Sequence, residues 1–310
     1  MSIRSALIIS LLISYAASAD RVQIPLPVAN GVAAVGGTIY VGGMNGGQIV
    51  AVEGEEVRLV TEGHPRLKSV AALRRDPRDA TLWGTSPDAF GQRQADGTVS
   101  RAPSCVFQFD PVSGRYRRLV ELPAGVFAND LGFGPDHTLY VTDSFGGKIW
   151  RLSPDAERFE VFLTHEGLGG EGLGVAGIAV ASDGTLYLGT YTAGRLMRLR
   201  DGHLEALRLP RPLRNPDGIR VLPNGDLLVI EGNAAGRSGR LLRLRLDGLQ
   251  AELIELAQIE MPLNLTLDGD RAVVTDAAAR PWLVAFLSGD RVEPPATSRL
   301  IHVPLTTRRP

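Results

Sequence analysis

The chain has 310 residues, of which 44% are hydrophobic and 22% are charged, as in an ordinary globular protein. Its 33 lysine and arginine residues almost balance its 34 aspartate and glutamate residues, which leaves a net charge of -1. This balance gives no electrostatic reason to expect a nucleic acid or an anionic membrane as a partner. Cys105 is the only cysteine, which excludes an internal disulfide. Its place in an alternating apolar run predicts a buried packing residue and not a nucleophile.

The first predicted element is a signal peptide over residues 1–19. Arg4 precedes a mostly apolar stretch over residues 6–17, and Ala17-Ser18-Ala19 matches the small-residue pattern of a cleavage site. The apolar stretch is shorter than the roughly 17–25 residues of a transmembrane helix. We therefore expect cleavage before Asp20, a periplasmic or secreted location, and no membrane association of the mature chain. An uncleaved N-terminal anchor is the alternative.

From Asp20 onwards the chain consists of repeats. Each repeat has a short apolar strand, a turn with Gly or Asp, a second strand, a loop and a third strand, as in residues 129–152 and 177–199. One position of the second strand recurs at intervals of 41 to 57 residues, at Tyr40, Trp83, Tyr140, Tyr187, Leu228 and Val273. This is the period of a four-stranded propeller blade. The repeats predict an all-β protein with one domain over residues 20–310, a six-bladed β-propeller of four-stranded antiparallel blades.

The two ends of the predicted domain are expected to meet. Residues 21–24 form a short alternating strand that can pair with the strand near residues 301–303. This pairing would close the ring and remove an exposed sheet edge. An open β-sandwich or two smaller β domains are the alternatives, but neither requires six similar units.

The innermost strand of each blade starts beside the central tunnel, so its first residues are candidates for a site on the axis. In the six repeats these residues are Asn30, Ser69, Asn129, Ala176, Asp217 and Asn264. Four of the six are Asn or Asp, and calcium takes six to eight oxygen ligands. They predict a calcium site on the axis, and the alternative is that each side chain caps a turn. The same two interpretations apply to the acids that end second strands, Asp143, Glu231 and Asp276.

The links between second and third strands lie on the same face as these strand starts. They carry Met44, Phe145 and Tyr191, which are expected to form apolar walls for a small organic substrate. The longest link, residues 86–104, is predicted to border the tunnel mouth, with a surface insertion as the alternative. Residues 167–172 match a dinucleotide-binding pattern, but a strand follows them instead of a helix. We interpret them as a loop between blades from which Glu171 can swing over the mouth.

Several motifs resemble a known group of propellers. Asn129-Asp130-Leu131 with Gly134-Pro135, and residues 139–144, resemble gluconolactonase and regucalcin-type propellers and also paraoxonases. Residues 216–219 resemble the inner-strand start of a later blade in the same group. The resemblance implies a calcium ion on the axis, held by a first-blade glutamate and by Asn and Asp from other blades. Carried over, Asn129 and Asp217 match these ligands, and Asp130 matches a ligand of a second, deeper calcium in the paraoxonase-like branch.

Two positions depart from this pattern. Asn30 and its neighbour Ala29 stand where the family has the first-blade glutamate, and Ala176 stands where a central blade often has Asn. Asp217 is then the one carboxylate in the inferred first coordination shell. A dication there would bind weakly unless Glu171 or Glu231 contributes charge.

Two functions are compatible with these residues. The first is an exported hydrolase of small lactones or related esters, dependent on calcium or another divalent cation. The ion would polarise the carbonyl, while Asp217, with Glu171, would activate water or the leaving group. The metal ligands would come from Asn30, Asn129, Asp130, Asp217 and Asn264. The second is a non-catalytic propeller that binds a small molecule, a sugar or a protein partner at its mouth.

Overall fold

The chain forms six four-stranded antiparallel sheets whose innermost strands follow one another around a closed ring. This arrangement confirms the predicted all-β, six-bladed propeller. The computed structural model describes residues 20–94, 96, 98–287 and 292–305. The predicted signal peptide, residues 1–19, lies outside the described residues.

Each blade runs from an inner strand at the axis to an outer strand at the rim of the ring. From the axis outward, blade 1 contains β2 (Ala29–Val35), β3 (Thr38–Gly43), β4 (Ile49–Glu53) and β5 (Glu56–Thr61). Blade 2 contains β6 (Ala72–Arg75), β7 (Leu82–Ser86), β10 (Cys105–Asp110) and β11 (Arg115–Glu121). Blade 3 contains β12 (Ala128–Phe133), β13 (Leu139–Asp143), β14 (Lys148–Leu152) and β15 (Glu160–Thr164). Blade 4 contains β16 (Val175–Val180), β17 (Leu186–Thr190), β18 (Arg195–Arg200) and β19 (His203–Ala206). Blade 5 contains β20 (Pro216–Val221), β21 (Leu227–Glu231), β22 (Gly239–Asp247) and β23 (Gln250–Ile259). Blade 6 contains β24 (Pro262–Asp268), β25 (Arg271–Asp276), β26 (Ser298–Pro304) and β1 (Asp20–Ile24).

The inner strands of each blade are buried on both faces of the sheet, because each blade packs between two neighbouring blades. In β13, Leu139 and Val141 pack with Trp83 of blade 2. The residue between them, Tyr140, packs on the opposite face with Ile178 of blade 4. Side chains alternate between the faces of a strand, so apolar residues on both faces produce the nearly continuous apolar runs of the second strands.

The first and last strands close the ring, as the sequence predicted. β1 pairs antiparallel with β26, with Arg21 opposite Ile301 and Val22 opposite Leu300. Ile24 and Leu300 are fully buried and pack with residues of blade 1. The N-terminal strand therefore completes blade 6 and joins it to blade 1.

Two links contain additional structure. The link of blade 2 holds a short hairpin, β8 (Gln92–Arg93) with β9 (Val99–Ser100). The link between β25 and β26 begins with α1 (Arg280–Leu287), which the sequence patterns did not predict.

A 3-10 turn covers Glu166–Leu168, between blades 3 and 4. Within the described residues, no helix is both long and apolar enough to cross a membrane.

Cys105 has the predicted packing role. It lies in β10, is 1% exposed and belongs to the core shared by blades 1 and 2. Burial raises the pKa of its thiol to about 11. A thiol that stays protonated at neutral pH is a poor nucleophile.

Candidate functional site

A cavity of about 300 Å³ lies at the tunnel mouth, where the inner strands start. All six blades contribute to its walls. Met44, Phe145 and Tyr191 line it, so the apolar walls predicted from the sequence are confirmed. Three polar side chains of the inner strands also line it: Asn30, Asn129 and Asp217.

Asn30, Asn129 and Asp217 occupy the same position in blades 1, 3 and 5. Each follows the first paired residue of its inner strand, Ala29, Ala128 or Pro216, and in each strand a β-bulge follows that pair. Alternate blades of a six-bladed ring are about 120° apart around the axis. The three side chains therefore approach the axis from three evenly spaced directions.

Asn264 does not share this position, which corrects the equivalence expected from the sequence. In blade 6 the first paired residue is Pro262, so the counterpart of Asp217 is Leu263, and Leu263 lines the cavity. Asn264 is the counterpart of Asp130, one residue deeper. The backbone N–H of Asn264 donates to Thr275 Oγ1 at 3.0 Å, as that of Asp130 donates to Thr142 Oγ1 at 2.9 Å.

Blade 2 needs the same kind of correction. Thr85 donates to the carbonyl of Asn129 in the next blade, as Thr142 donates to that of Ala176, so these threonines are equivalent. Ala72 pairs with Thr85, which places Ala71, and not Ser69, at the strand start. The layer at the mouth therefore alternates between polar and apolar residues: Asn30, Ala71, Asn129, Ala176, Asp217 and Leu263.

The oxygens of the three polar residues are unusually free of protein partners. Asn30 Oδ1 is buried and accepts no hydrogen bond from the described residues. Asn129 Nδ2 donates to Ser144 Oγ at 3.0 Å, and this bond fixes the orientation of the amide. Asn129 Oδ1 therefore lies on the side of the amide that faces away from Ser144. No hydrogen bond or ion pair within the described part of the chain holds the carboxylate of Asp217, which is 8% exposed.

The environment of Asp217 favours its protonated form in the absence of a cation. Burial, together with the negative charge of Asp130, raises the pKa of Asp217 to about 8. Gly177 of blade 4 allows this packing, because a Cβ at that position would collide with the carbonyl oxygen of Asp217. Burial and the charge of Asp217 also raise the pKa of the Tyr191 hydroxyl.

The deeper layer has a different composition. Arg74 Nη2 donates to Asp130 Oδ1 at 2.6 Å and to Oδ2 at 2.8 Å, and the Asp130 side chain is 1% exposed. The backbone N–H of Leu131 also donates to Asp130 Oδ1, at 2.8 Å. Asn264 Oδ1 accepts from Leu265 N at 2.9 Å and from Arg220 Nη2 at 3.2 Å.

These contacts decide which positions fit a metal ion. The residues at the mouth fit one cation, because Asn30, Asn129 and Asp217 direct oxygens without partners into one cavity. The deeper position does not fit a second cation, because the Arg74 guanidinium already neutralises Asp130. Within the described residues there is no group of three or more His, Cys, Asp or Glu side chains suited to a metal. A cation at the mouth would therefore depend on amide oxygens, water and substrate.

The other predicted acids lie outside the cavity lining. Glu171 is exposed, and its loop contributes Leu173 to the cavity instead. Asp143 Oδ1 accepts from the backbone N–H groups of Phe127, Phe145 and Gly146. Glu231 accepts from Arg211, and Asp276 accepts from Arg299 and two backbone N–H groups. The turn-capping interpretation therefore describes Asp143 and Asp276, whereas Glu231 is an ion-pair residue.

Two links form the outer part of the cavity. Residues 86–104 contribute Ala89, Phe90 and Arg101, which confirms that this link borders the mouth. The Arg101 guanidinium lies over the Phe145 ring, 5.4 Å from its centroid. Trp282 and Leu283 of α1 complete the wall and were not predicted from the sequence. The apolar run over residues 281–287 was the signal for this helix.

The helix α1 is held at the mouth by its first residue. Arg280 donates to the carbonyl oxygens of Gly232, Asn233 and Ala234, all in the link of blade 5. It also donates to the carbonyl of Glu260, just before β24. These four acceptors connect α1 to blades 5 and 6 and so position Trp282 and Leu283.

Solved structures of several enzymes share this fold. Virginiamycin B lyase from Staphylococcus aureus aligns with a TM-score of 0.61 over 93% of this chain and 100% of its own, at 16% identity. A gluconolactonase from Xanthomonas campestris aligns with a TM-score of 0.59 over 90% of this chain and 87% of its own, at 17% identity. The PQQ-bound aldose sugar dehydrogenase of Streptomyces coelicolor has a TM-score of 0.59, over 92% and 98% of the two chains, at 13% identity.

The resemblance to gluconolactonase propellers is thus confirmed at the level of the fold. A lyase, a lactonase and a dehydrogenase share this architecture, so the activity has to be argued from the site. No protein-family model and no curated protein sequence matches the chain.

Proposed function

We propose that this protein is a calcium-dependent hydrolase of small lactones or related esters. The observation that carries the proposal is the set of side-chain oxygens on Asn30, Asn129 and Asp217, which line one apolar-walled cavity; of these, Asn30 Oδ1 is buried without a hydrogen-bond partner in the part of the chain that the structure describes. These three residues would hold the ion, and water and substrate would supply its remaining oxygens. Once bound, calcium would polarise the carbonyl group of the substrate and stabilise the oxyanion.

The residues of the chain have separate tasks in this reaction. The cavity volume of about 300 Å³ suits a small molecule, and Phe90, Phe145 and Trp282 exclude water from its apolar part. Arg101 at the rim can bind a polar or anionic substituent. Asp217 is the only carboxylate among the described residues that line the cavity, so it is the group that accepts a proton from the attacking water or returns one to the leaving oxygen.

The decisive experiment combines cation binding with turnover. Isothermal titration calorimetry with calcium should give one site on the native protein and none on Asp217→Ala. A panel of lactones and aryl esters should be hydrolysed in millimolar calcium, lose turnover with chelator and regain it when calcium is restored. Glu157→Ala is the carboxylate control, because Glu157 is exposed and does not line the cavity. If saturating calcium neither supports turnover nor shifts the melting curve, the proposal fails.

A non-catalytic propeller that binds a small molecule, a sugar or a protein partner is the second candidate. It is favoured by one observation, the single carboxylate among the cavity-lining residues within the described ranges. In that case ligands would bind without turnover and without any requirement for calcium.

The proposal places the enzyme in the periplasm or outside the cell, on the strength of the N-terminal segment. Mass spectrometry of exported protein should find Asp20 as the first residue. Retention of residues 1–19 would contradict this part of the proposal.

A further inference from the structure

The tunnel has a second opening, at the opposite ends of the inner strands, with a cavity of about 430 Å³. Its charged lining residues are all arginines: Arg74, Arg75 and Arg220. Arg74 pairs with Trp83 across blade 2, and Arg220 pairs with Leu228 across blade 5. Trp83 and Leu228 hold the same position in the repeat, so Arg74 and Arg220 are equivalent residues of blades that face each other across the axis.

Small residues occupy this position in the other four blades. They are identified by their partners in the second strands, and they are Ala33, Gly132, Ala179 and Thr266. Blades 2 and 5 therefore place the two long side chains of this layer, and each reaches the next blade around the ring. Gly132 and Ala179 line the cavity beside them and leave space for a ligand.

The two guanidinium groups are held in the same way, but among the described residues only Arg74 forms an ion pair. Each Nη1 donates to the carbonyl of the preceding residue, Leu73 or Ile219. Each Nη2 donates to a residue in the deeper layer of the next blade. For Arg74 the acceptor is the carboxylate of Asp130. Arg220 finds only neutral acceptors, the amide oxygen of Asn264 and the carbonyl of Leu265.

Arg220 is therefore a largely buried cation without a carboxylate partner in the described part of the chain. Burial and the positive charge of Arg74 lower the pKa of Arg220 well below its ordinary value, and the more distant charge of Asp130 offsets only part of this effect. A buried charge of this kind is costly unless an opposite charge compensates it. The Nε atoms of Arg74 and Arg220 have no hydrogen-bond partner among the described residues, so each guanidinium still has a donor to offer.

We propose that this second opening binds a small oxyanion, a phosphate or a carboxylate, between Arg220 and Arg74, with Arg75 at the rim. The planar guanidinium fork matches the geometry of both groups. The cavity is large enough for a small organic acid or phosphate ester, and Phe133, Ile178 and Val180 give it apolar walls. This site is independent of the proposed hydrolase site, which lies at the other end of the tunnel.

The test uses the complete mature protein, freed of divalent cations, at constant ionic strength. Inorganic phosphate and succinate are titrated separately by calorimetry and by thermal unfolding, with chloride as the reference. One saturable site is expected for at least one of the two anions, with a rise in Tm as it fills. The anion that binds more tightly identifies the phosphate or the carboxylate class.

Two variants locate the site. Arg220→Met keeps most of the side-chain volume and should weaken the binding of the anion by roughly tenfold or more, since a hydrogen bond to a charged group is lost. Arg58→Met removes the same charge from an exposed position of β5 and should leave the affinity unchanged. Circular dichroism and the cooperativity of thermal unfolding without anion establish that the fold of Arg220→Met is intact.

Two outcomes overturn the proposal. One is the lack of any saturable binding of phosphate and succinate by the native protein. The other is native affinity in Arg220→Met, above all if Asp217→Ala loses anion binding, since the anion would then occupy the mouth. Failure of the hydrolase proposal would show instead in calcium binding and turnover, which this experiment does not use.

Discussion

Phe90 and Trp282 meet edge to face beside the mouth cavity, with ring centroids 5.2 Å apart and ring planes at 86°. Phe90 belongs to the long link of blade 2 and Trp282 belongs to α1 in blade 6. Their contact joins two links that are far apart in the sequence, on either side of blade 1. Both rings also line the cavity, so this pair closes part of the mouth.

Phe90→Ala should weaken ligand binding more than it lowers stability. Loss of the pair with Trp282 should lower the free energy of unfolding by about 0.5–1.5 kcal/mol. A ligand would lose its apolar contact with a ring that lines the cavity, and burial of such a side chain contributes roughly 1.5–3 kcal/mol, so KM should rise about tenfold or more. Val112→Ala is the control, because Val112 is 93% exposed in the turn between β10 and β11. The check compares KM and Tm of both variants. A large fall in Tm with unchanged KM would identify the link as scaffold.

Calcium affinity should distinguish the two layers of the tunnel. Asn30→Ala and Asn129→Ala each remove one neutral ligand and should weaken calcium binding in calorimetry. Asn264→Ala should leave the affinity for calcium unchanged, because the Asn264 oxygen is bonded to Leu265 N and Arg220. An equal loss in Asn264→Ala and Asn30→Ala would contradict the assignment of the layers.

The pH dependence of stability should report on Asp217. Its pKa is raised to about 8 by burial and by Asp130, against about 3.9 in an unfolded chain. Without cations, the folded chain holds this proton between about pH 4 and pH 8 while the unfolded chain has lost it. The contribution of Asp217 to stability therefore falls as the pH rises through this window.

Asp217→Asn removes that ionisation. Urea unfolding of the cation-free proteins should show the smallest difference between the variant and the native protein at about pH 4, and the variant should be clearly the more stable of the two at pH 9. Identical pH profiles of the two proteins would rule out the raised pKa. For the same reason, calcium affinity of the native protein should increase with pH up to about pH 8, since the cation must displace the proton.

Asp130 should behave as an ion-pair residue and not as a metal ligand. Asp130→Asn leaves the buried Arg74 without its counter-charge and should destabilise the protein by about 3–5 kcal/mol. The melting temperature of Asp217→Ala should not respond to chelator, because the mouth is the only proposed cation site. A fall in Tm on adding chelator to Asp217→Ala would indicate a second cation in the tunnel.

The closure of the ring by β1 should contribute strongly to stability. Ile24 is fully buried between blades 6 and 1, so Ile24→Ala should lower the free energy of unfolding by about 2–5 kcal/mol. Val22→Ala in the same strand is the milder control, since Val22 is only partly buried. Equal small effects of the two changes in urea unfolding would mean that β1 does not close the ring in solution.

The sequence by itself determined the architecture of this protein. The recurrence of Tyr40, Trp83, Tyr140 and their counterparts identified six blades, and the strand at residues 21–24 identified the closure. These features are readable because alternation, turn residues and repeat length are local properties of the chain. The apolar walls at Met44, Phe145 and Tyr191 followed from the repeat in the same way.

Only the tertiary structure decided which polar residues share a layer of the tunnel. A β-bulge adds one residue to the inner strand, so an error of one position moves a side chain to another layer. For this reason the sequence pattern groups Asn264 with Asp217, although the register of its strand places Asn264 beside Arg220. The ion pair of Arg74 with Asp130 joins residues that are 56 positions apart in the sequence. A local sequence pattern does not predict which blade an arginine side chain will contact, because that contact depends on how the blades pack.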